Sequence, residues 1–398
     1  MSDNRQKDKN SLAELIKLFL KLGAIAFGGP AAHIAMMEEE VVHRRKWMTR
    51  EHFLDLVGTT NLIPGPNSTE MAIHIGYIRA GLSGLIVSGL SFILPAVIIT
   101  GTLAWAYVSF GSIPQVTPLL FGIKPAVISV ILVAVVRLGR TAAKSMKLIA
   151  IGIAVAAASL LGMNEILALL SGGAAGIILY LVKQRGGRKI SGLIMPLLTQ
   201  TLSLFKASDA KAAVAASAAG IAGVSLWKLG LFFLKIGSVL YGSGYVLIAF
   251  LEGGLVKDYG WLTQQQLLDA VAIGQFTPGP VLSTATFVGY VVSGVQGAVI
   301  STIAIFLPSF IFVLILNPII PRLRASKIMS AFLDAVNISA IGLMAAVIIH
   351  LAGATLTDWR GILIAVAAAT AGMRFKLNAA WLVMGGAVTG WVLKIIFS

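Results

Sequence analysis

The tripeptide Pro-Gly-Pro occurs twice in this 398-residue chain, at 64–66 and again at 278–280. The residues around the two copies match in register, at an offset of 214 positions upstream and 213 positions downstream. The matched pairs include Lys21 with Lys235, Gly23 with Gly237, Gly28 with Gly242, Glu38 with Glu252, Trp47 with Trp261, Asp55 with Asp269, Gly81 with Gly294 and Pro95 with Pro308. A register kept across so many glycines, prolines and charged residues indicates a tandem duplication. Such a chain must fold as two copies of one unit, so we expect a pseudo-symmetric pair of half-sites.

The composition is that of a membrane protein. Hydrophobic residues make up 57% of the chain, charged residues 12%, and the mean hydropathy is +0.90, whereas soluble domains carry about 25% charged residues. Apolar stretches lie at 12–36, 81–108, 115–136, 148–162, 165–182, 226–251, 295–316, 328–349, 361–373 and 378–397, with shorter interrupted ones at 52–78 and 266–292. Since about 20 residues span a bilayer, the sequence predicts an all-α polytopic membrane protein with roughly 10–13 membrane segments.

The net charge of +15 also fits a membrane protein. Lys and Arg concentrate in cytoplasmic loops and set the orientation of the chain, so we expect no nucleic-acid partner. The chain has no cysteine, which excludes disulfides and thiolate metal sites, and we expect no metal and no cofactor. The first ten residues are polar and no short apolar stretch ends in a cleavage site, so no cleavable signal peptide is predicted.

The charges of the loops predict that the two halves are inverted relative to each other. In the first half the basic loops 43–50, 137–147 and 183–189 are expected in the cytoplasm, and the uncharged loop 109–118 outside. The counterpart of that uncharged loop is 317–327, which carries three basic residues. Inverted-topology repeats are a recurrent design of secondary transporters.

These patterns divide the chain into a polar tail (1–11), a first repeat (12–183), a basic linker (184–225) and a second, inverted repeat (226–398). Each repeat begins with a segment interrupted by small residues, Gly28-Gly29-Pro30 in the first and Gly242-Ser243-Gly244 in the second. Such a segment is either one broken span, which places the N-terminus outside, or a hairpin, which places it inside and requires a further membrane segment in the linker. In both cases the C-terminus is predicted outside.

Each Pro-Gly-Pro sequence is expected to end one helix and begin another at membrane depth, because proline removes a backbone donor and forces extended backbone before it. Non-helical backbone at that depth persists only where it is buried or lines a wet cavity. A new helix N-terminus offers free N–H groups to an anion; the alternative is a kink that only serves packing. The predicted binding residues are Gly28, Gly29, Asn61, Pro64, Gly65, Pro66, Asn67, Ser68 and Thr69 in the first repeat, and Gly242, Ser243, Gly244, Gln275, Thr277, Pro278, Gly279, Pro280 and Ser283 in the second.

Ionisable residues within the apolar segments are further candidates, since a charge inside a span is unfavourable and points to function. The matched Lys21 and Lys235 would contact an anion, or would extend to the membrane interface. Lys124 and Asp334 are unmatched charges that we expect to pair across the repeat interface.

Four residues are candidates for coupling or ion pairing. The matched Glu38 and Glu252 would carry protons or neutralise Lys21 and Lys235. Glu70 and His74 lie one turn apart after Pro66, and histidine titrates near neutral pH, which suits a proton relay. The second repeat has Thr284 and Val288 at those positions, so a proton role would belong to the first half alone.

These motifs resemble the chromate ion transporter (CHR) family. The first half carries Phe27-Gly28-Gly29-Pro30 and Asn61-Leu62-Ile63-Pro64-Gly65-Pro66-Asn67-Ser68-Thr69-Glu70-Met71-Ala72, and the second half carries Trp261-Leu262-Thr263, Gln275-Phe276-Thr277-Pro278-Gly279-Pro280 and Gly289-Tyr290. The resemblance covers nearly the whole chain and implies the long, two-domain form of the family, which exports chromate and for which sulfate is the structural mimic. Ser243 stands where a second glycine is common, and serine is small enough to replace it.

The residues and the resemblance together predict a secondary transporter, not an enzyme, in the cell inner membrane. It would move chromate by alternating access and confer chromate resistance through efflux. Its expected partners are chromate, sulfate, the lipid bilayer and a second copy in a homodimer. One alternative is an uptake or exchange carrier for sulfate or another oxyanion. Another, from a different class, is a membrane enzyme acting on lipid phosphates, which would need a general base and a carboxylate-bound metal.

Overall fold

The computed structural model describes residues 2–110, 117–184, 224–241, 244–316, 326–375 and 377–396, and the regular structure in these residues is helical. They form fourteen α-helices: α1 Ser2–Ile25, α2 Pro30–Glu38, α3 Arg50–Thr60, α4 Asn67–Phe110, α5 Thr117–Ala142, α6 Met146–Leu160, α7 Glu165–Gln184, α8 Leu226–Val239, α9 Leu247–Leu251, α10 Gln264–Phe276, α11 Thr284–Leu316, α12 Lys327–Thr355, α13 Trp359–Arg374 and α14 Ala379–Ile396. Short π-helices, Glu39–Arg44 and Glu252–Asp258, continue α2 and α9, and 3₁₀ turns precede α9 (Gly244–Val246) and α11 (Val281–Ser283).

Six of the described helices are long and apolar enough to cross a membrane, namely α4, α5, α7, α11, α12 and α14. Their outward faces carry large exposed apolar side chains such as Ile98, Ile303 and Val388. Such faces are stable only against lipid or protein, so the predicted all-α polytopic fold is confirmed.

Helix α4 doubles back on itself. A straight helix of its 44 residues would be about 66 Å long, twice the thickness of a bilayer core. Gly81 has a positive φ of 59°, and a Cβ on Gly76 would collide with the carbonyl oxygen of Gly84, so the backbones of these two residues touch. Residues 67–79 are therefore a half-helix packed against the long arm that begins at Leu82. Glycine is needed at these positions because the turn requires the left-handed region and the contact leaves no room for Cβ.

The second repeat contains the same reversal in α11. Gly294 has a φ of 62°, and the backbones of Gly289 and Gly297 meet as those of Gly76 and Gly84 do. The two repeats therefore share the backbone conformation of this turn as well as its sequence.

The first segment of the chain is a hairpin, one of the two alternatives that the sequence allows. Glu14, in the middle of α1, pairs with Arg79 at 3.3 Å, and the Arg79 guanidinium lies 5.1 Å from the ring centre of Trp47, which follows the π-helix after α2. The middle of α1, where its apolar part begins, and the end of this π-helix therefore lie at the same level of the molecule. Gly23 packs on the backbone of Phe92, midway along α4, so α1 ends halfway across. The extra membrane segment that a hairpin requires would fall in 184–225, nearly all of which is outside the described residues.

In each repeat, the first of the last three helices packs against helices of the other repeat. Helix α5 packs against α13 and α14, while α12 packs against α6 and α7. Small residues allow these close contacts: Gly122 of α5 touches the backbone of Gly386, and Gly152 of α6 touches Gly342.

Equivalent helices of the two repeats run antiparallel. Lys144, just after α5, forms an ion pair of 2.7 Å with Asp334 in the second turn of α12. The end of α5 therefore meets the beginning of its counterpart, as inverted repeats require. The expectation that Asp334 pairs with Lys124 is wrong, because Lys124 lies seven residues into α5 and so near the opposite end of that helix.

Candidate anion-binding cavity

Two reciprocal hydrogen bonds join the repeats at the centre of the molecule. The N–H of Gly65, in the first Pro-Gly-Pro turn, donates to the carbonyl oxygen of Leu240 at 2.7 Å, and the N–H of Gly279, in the second turn, donates to Ala26 at 2.9 Å. Leu240 and Ala26 are matched residues at the two breaks. Each proline turn thus contacts the break of the other repeat, and four interrupted helices meet, as the paired motifs predict.

A cavity of about 490 Å³ lies beside these hydrogen bonds. Several helices begin at its wall: α2 at Gly29 and Pro30, α4 at Asn67, α14 at Asn378, and the 3₁₀ turn at Val281. The first N–H groups of a helix have no partner within the helix, and the helix dipole is positive there. Their convergence gives the cavity a positive potential without a large number of charged side chains.

The cavity brings together residues that the sequence predicts in both repeats. Gly28, Gly29 and Asn67 line it from the first repeat, and Gly244, Gln275, Thr277 and Gly279 line it from the second. Gly28 and Gly29 both have positive φ, 110° and 78°, so the chain turns sharply at the wall of the cavity.

Among the described residues, Arg137 is the cationic side chain of the cavity lining, and sequence reasoning missed it. Its Nη2 donates to the carbonyl oxygen of Gly372 at 2.6 Å, and within the described residues it has no ion-pair partner. The sequence places Arg137 at the start of a basic loop, whereas α5 in fact continues to Ala142. The apolar residues on either side of Arg137 were the available signal. Asn378, whose Nδ2 lies 3.9 Å from the position of a Cβ on Gly28, was missed as well.

A second cavity of about 510 Å³ adjoins the first and shares Asn67 and Leu138 with it. Its polar lining includes Asn61, which accepts a hydrogen bond from Asn67 at 2.6 Å, and the Lys144–Asp334 ion pair. The two cavities together extend from the centre of the molecule to the ends of α5 and α13, where basic residues cluster.

The remaining predicted residues lie outside the central cavity. Ser68 and Thr69 are buried in protein, and Ser283 accepts a hydrogen bond from Thr100 at 3.2 Å. The prolines of both turns, Pro64, Pro66, Pro278 and Pro280, shape the backbone without lining the cavity. Gly242 and Ser243 fall outside the described residues.

Neither predicted lysine reaches the central cavity. Lys21 pairs with Glu40 at 2.9 Å, and Lys235 lines a separate cavity of about 180 Å³ beside Glu165. The matched acids do not neutralise them, since Glu38 pairs with Arg50 at 3.0 Å and Glu252 with Lys257 at 3.0 Å. Glu70 and His74 are buried behind the first turn.

Comparison with known proteins agrees with this architecture. The family model described as "Chromate transporter" matches twice, at residues 13–177 and 227–391. A probable chromate transport protein of Synechococcus elongatus is 32% identical over 366 residues, 90% of this chain and 89% of that protein. The chromate transport protein of Cupriavidus metallidurans is 31% identical over 388 residues, 96% of this chain and 93% of that protein. An uncharacterized transporter of Bacillus subtilis is 26% identical over 151 residues, 38% of this chain but 84% of that protein. No solved structure matches the chain.

Proposed function

Because the chain belongs to the chromate transporter family, we propose that it carries chromate across the cytoplasmic membrane through the cavity beside the crossed hydrogen bonds. The observation that carries this proposal is the convergence on one cavity of four helix starts and of Arg137, which forms no ion pair with the described residues. Chromate is a tetrahedral dianion. Helix N-termini, amide groups and a guanidinium are the donors that such an oxyanion requires. Sulfate has the same shape and charge, so we expect it to compete.

The side of the molecule toward which the cavity extends supports one conformational state of the transport cycle. Arg137 and Asn378 lie near the ends of α5 and α13, where the basic loops cluster, and basic loops face the cytoplasm. On the opposite side Tyr107, near the end of α4, donates a hydrogen bond to Asp269 of α10 at 2.9 Å, which supports a closed path there. We therefore propose that the structure corresponds to an inward-open state. A rocking motion of the two repeats about the crossed hydrogen bonds would open the other side.

We propose efflux as the direction of transport. An inside-negative potential favours outward movement of a dianion by about 2.3 kcal/mol per charge per 100 mV. In this orientation the end of α14 would lie outside, because α14 begins near Arg137 and ends beside the start of α5.

Transport by the purified full-length protein in liposomes tests the proposal. We expect accumulation of labelled chromate driven by a potassium-diffusion potential, and inhibition by sulfate in the external solution. If neither anion moves under any potential or pH gradient, the protein is not an oxyanion carrier. If sulfate is carried at physiological concentrations and chromate only slowly, the alternative of a sulfate carrier is correct.

The absence of native cysteine permits a clean test of orientation. Single cysteines replace Ala143, after α5, and Thr355, at the end of α12, which lie at opposite ends of the molecule. We expect a membrane-impermeant maleimide to label Thr355→Cys in intact cells and Ala143→Cys only in everted vesicles. The reverse pattern would show that the cavity opens to the outside in this state.

A further inference from the structure

A buried polar pocket lies behind the first Pro-Gly-Pro turn, and the anion cavity does not explain it. Glu70 is 0% exposed, and neither of its carboxyl oxygens accepts a hydrogen bond of normal geometry from the described residues. A Cβ on Gly65 would meet both Glu70 Oε1 and, at 2.7 Å, Ser309 Oγ, so these two groups share one side of the turn. Tyr241, at the break of the second repeat, is close enough to interact electrostatically with Glu70. We call Glu70, Ser309 and Tyr241 the Glu70 pocket.

The three matching positions behind the second turn are arranged in the same way around it, but their side chains are different. They are Thr284 opposite Glu70, Ala96 opposite Ser309 and Phe27 opposite Tyr241. A Cβ on Gly279 would meet the Cβ of Ala96 at 3.0 Å, as one on Gly65 would meet Ser309. The Thr284 hydroxyl donates to the carbonyl oxygen of Val281 at 2.8 Å, so it needs no further partner. Only the first turn therefore has a titratable group behind it, and packing of the turn does not require one.

Among the described residues, no ion-pair partner is found for Glu70. Helix α11, which supplies Ser309, contains no acidic or basic residue, and the titratable groups beside Glu70 are His74 on the same helix, with an unpartnered Nε2, and Tyr241. The other titratable groups with described side chains on elements packed against α4 are exposed (Lys17, Glu51, His52, Asp55), in ion pairs (Glu14, Lys21, Glu38, Arg50) or hydrogen bonded (His33 to Ala26, Asp269 to Tyr107). A carboxylate without a counter-charge is strongly disfavoured in such an interior, so Glu70 holds a proton in this state.

The Glu70 pocket is close to the anion cavity. Asn67 lines that cavity, and Glu70 follows it by three residues on the same half-helix, about 4.5 Å along the helix axis. A negative charge on Glu70 would lie behind the helix start that faces a bound anion. With protein rather than solvent between them, the two negative charges would repel with little screening.

We propose that Glu70 is a proton-binding site whose occupancy is coupled to anion binding, with Ser309 and Tyr241 positioning its proton. This inference rests on the proposed transport of chromate. Its sign follows from the charges: the protonated carboxyl favours the dianion, and by linkage the dianion favours the proton. At a pH alkaline enough to remove the Glu70 proton from the empty protein, anion binding therefore takes up one proton from solution. At lower pH the proton is already in place, and in both cases proton and dianion cross together. One net negative charge then moves, so an inside-negative potential still drives export.

Calorimetric titration of the purified protein with chromate tests this coupling, at alkaline pH where chromate is a dianion and in buffers of different ionisation enthalpy. For the wild type we expect uptake of about one proton per chromate once the pH is high enough to ionise Glu70 in the empty protein, and in that range an affinity that falls by up to about tenfold per pH unit. For Glu70→Gln, which mimics the protonated carboxyl, we expect binding without proton uptake and with no dependence on pH. Glu165→Gln removes a different buried carboxyl, which lies outside both anion cavities, and should keep the wild-type behaviour.

The coupling is wrong if Glu70→Gln keeps the pH dependence of the wild type, or if the wild type releases protons on binding. Absence of chromate binding to the wild type would instead overturn the proposed function. Ser309→Ala and Tyr241→Phe provide a second test that leaves the carboxyl in place. Both should shift the pH at which affinity falls, and an unchanged pH profile in both would remove them from the site.

Discussion

Replacing Arg137 with glutamine is expected to weaken chromate binding by about 10- to 100-fold. Arg137 is the cation of the cavity lining, and a hydrogen bond to a charged group contributes about 1.5–3 kcal/mol. Glutamine keeps a hydrogen-bond donor and much of the length of the side chain, so the loss of affinity would be due mainly to the missing positive charge. The measurement is the chromate dissociation constant of purified protein, together with the initial rate of transport in liposomes.

Arg140→Gln is the matched control for this experiment. Arg140 lies on the same helix and is exposed, but it does not line the central cavity. Its removal lowers the net charge by the same amount, so a general effect of charge would appear in both variants. Equal chromate affinity in Arg137→Gln and the wild type would exclude this cavity as the binding site.

Gly65→Ala is expected to destabilise the protein by about 2–5 kcal/mol and to abolish transport. Gly65 has a φ of 144°, and an added Cβ would collide with the carboxyl group of Glu70 and the hydroxyl of Ser309. An L-residue in this region costs about 1–2 kcal/mol, and overpacking costs about 1–3 kcal/mol more. The Gly65 N–H also donates one of the two hydrogen bonds that join the repeats. A large fall in the thermal unfolding midpoint of the detergent-solubilised protein is the expected result.

Gly353→Ala serves as the control for Gly65→Ala. Gly353 lies in α12, and a Cβ there would meet nothing within 4 Å. Alanine is the better helix former, so this variant should be neutral or slightly stabilised. A Gly65→Ala protein as stable as Gly353→Ala would show that the turn can relax, and that the glycine is not required by its conformation.

Much of the fold could be predicted from the sequence because helix breaks and membrane orientation depend on residues that are close together in the chain. The Pro-Gly-Pro turns break helices wherever they occur, since proline lacks a donor. The charges of the loops predict the orientation of the chain because loops rich in Lys and Arg stay in the cytoplasm. Two such breaks in matched positions had to come together near the centre, and Gly65 and Gly279 do so through their hydrogen bonds to the opposite break.

The charged residues were harder to assign. Lys21 is symmetric with Lys235 and lies within an apolar segment, yet its nearest acid is Glu40, on the π-helix that the first hairpin brings back beside it. Arg137 was interpreted as part of a cytoplasmic loop. Its place in the cavity depends on α5 packing against the second repeat, an exchange of helices that no local pattern encodes.

The sequence by itself determined that this chain is a duplicated, inverted, all-helical membrane protein with paired breaks at its centre. Each of those properties follows from the type and spacing of residues. These determine where the backbone can be helical and which segments are stable in lipid. Only the tertiary structure decided which charges face the cavity, and that the glutamate after the first break is buried behind it, where the second break has a threonine. Burial and charge pairing are set by contacts between residues far apart in the chain, such as Glu70 with Ser309 and Lys144 with Asp334.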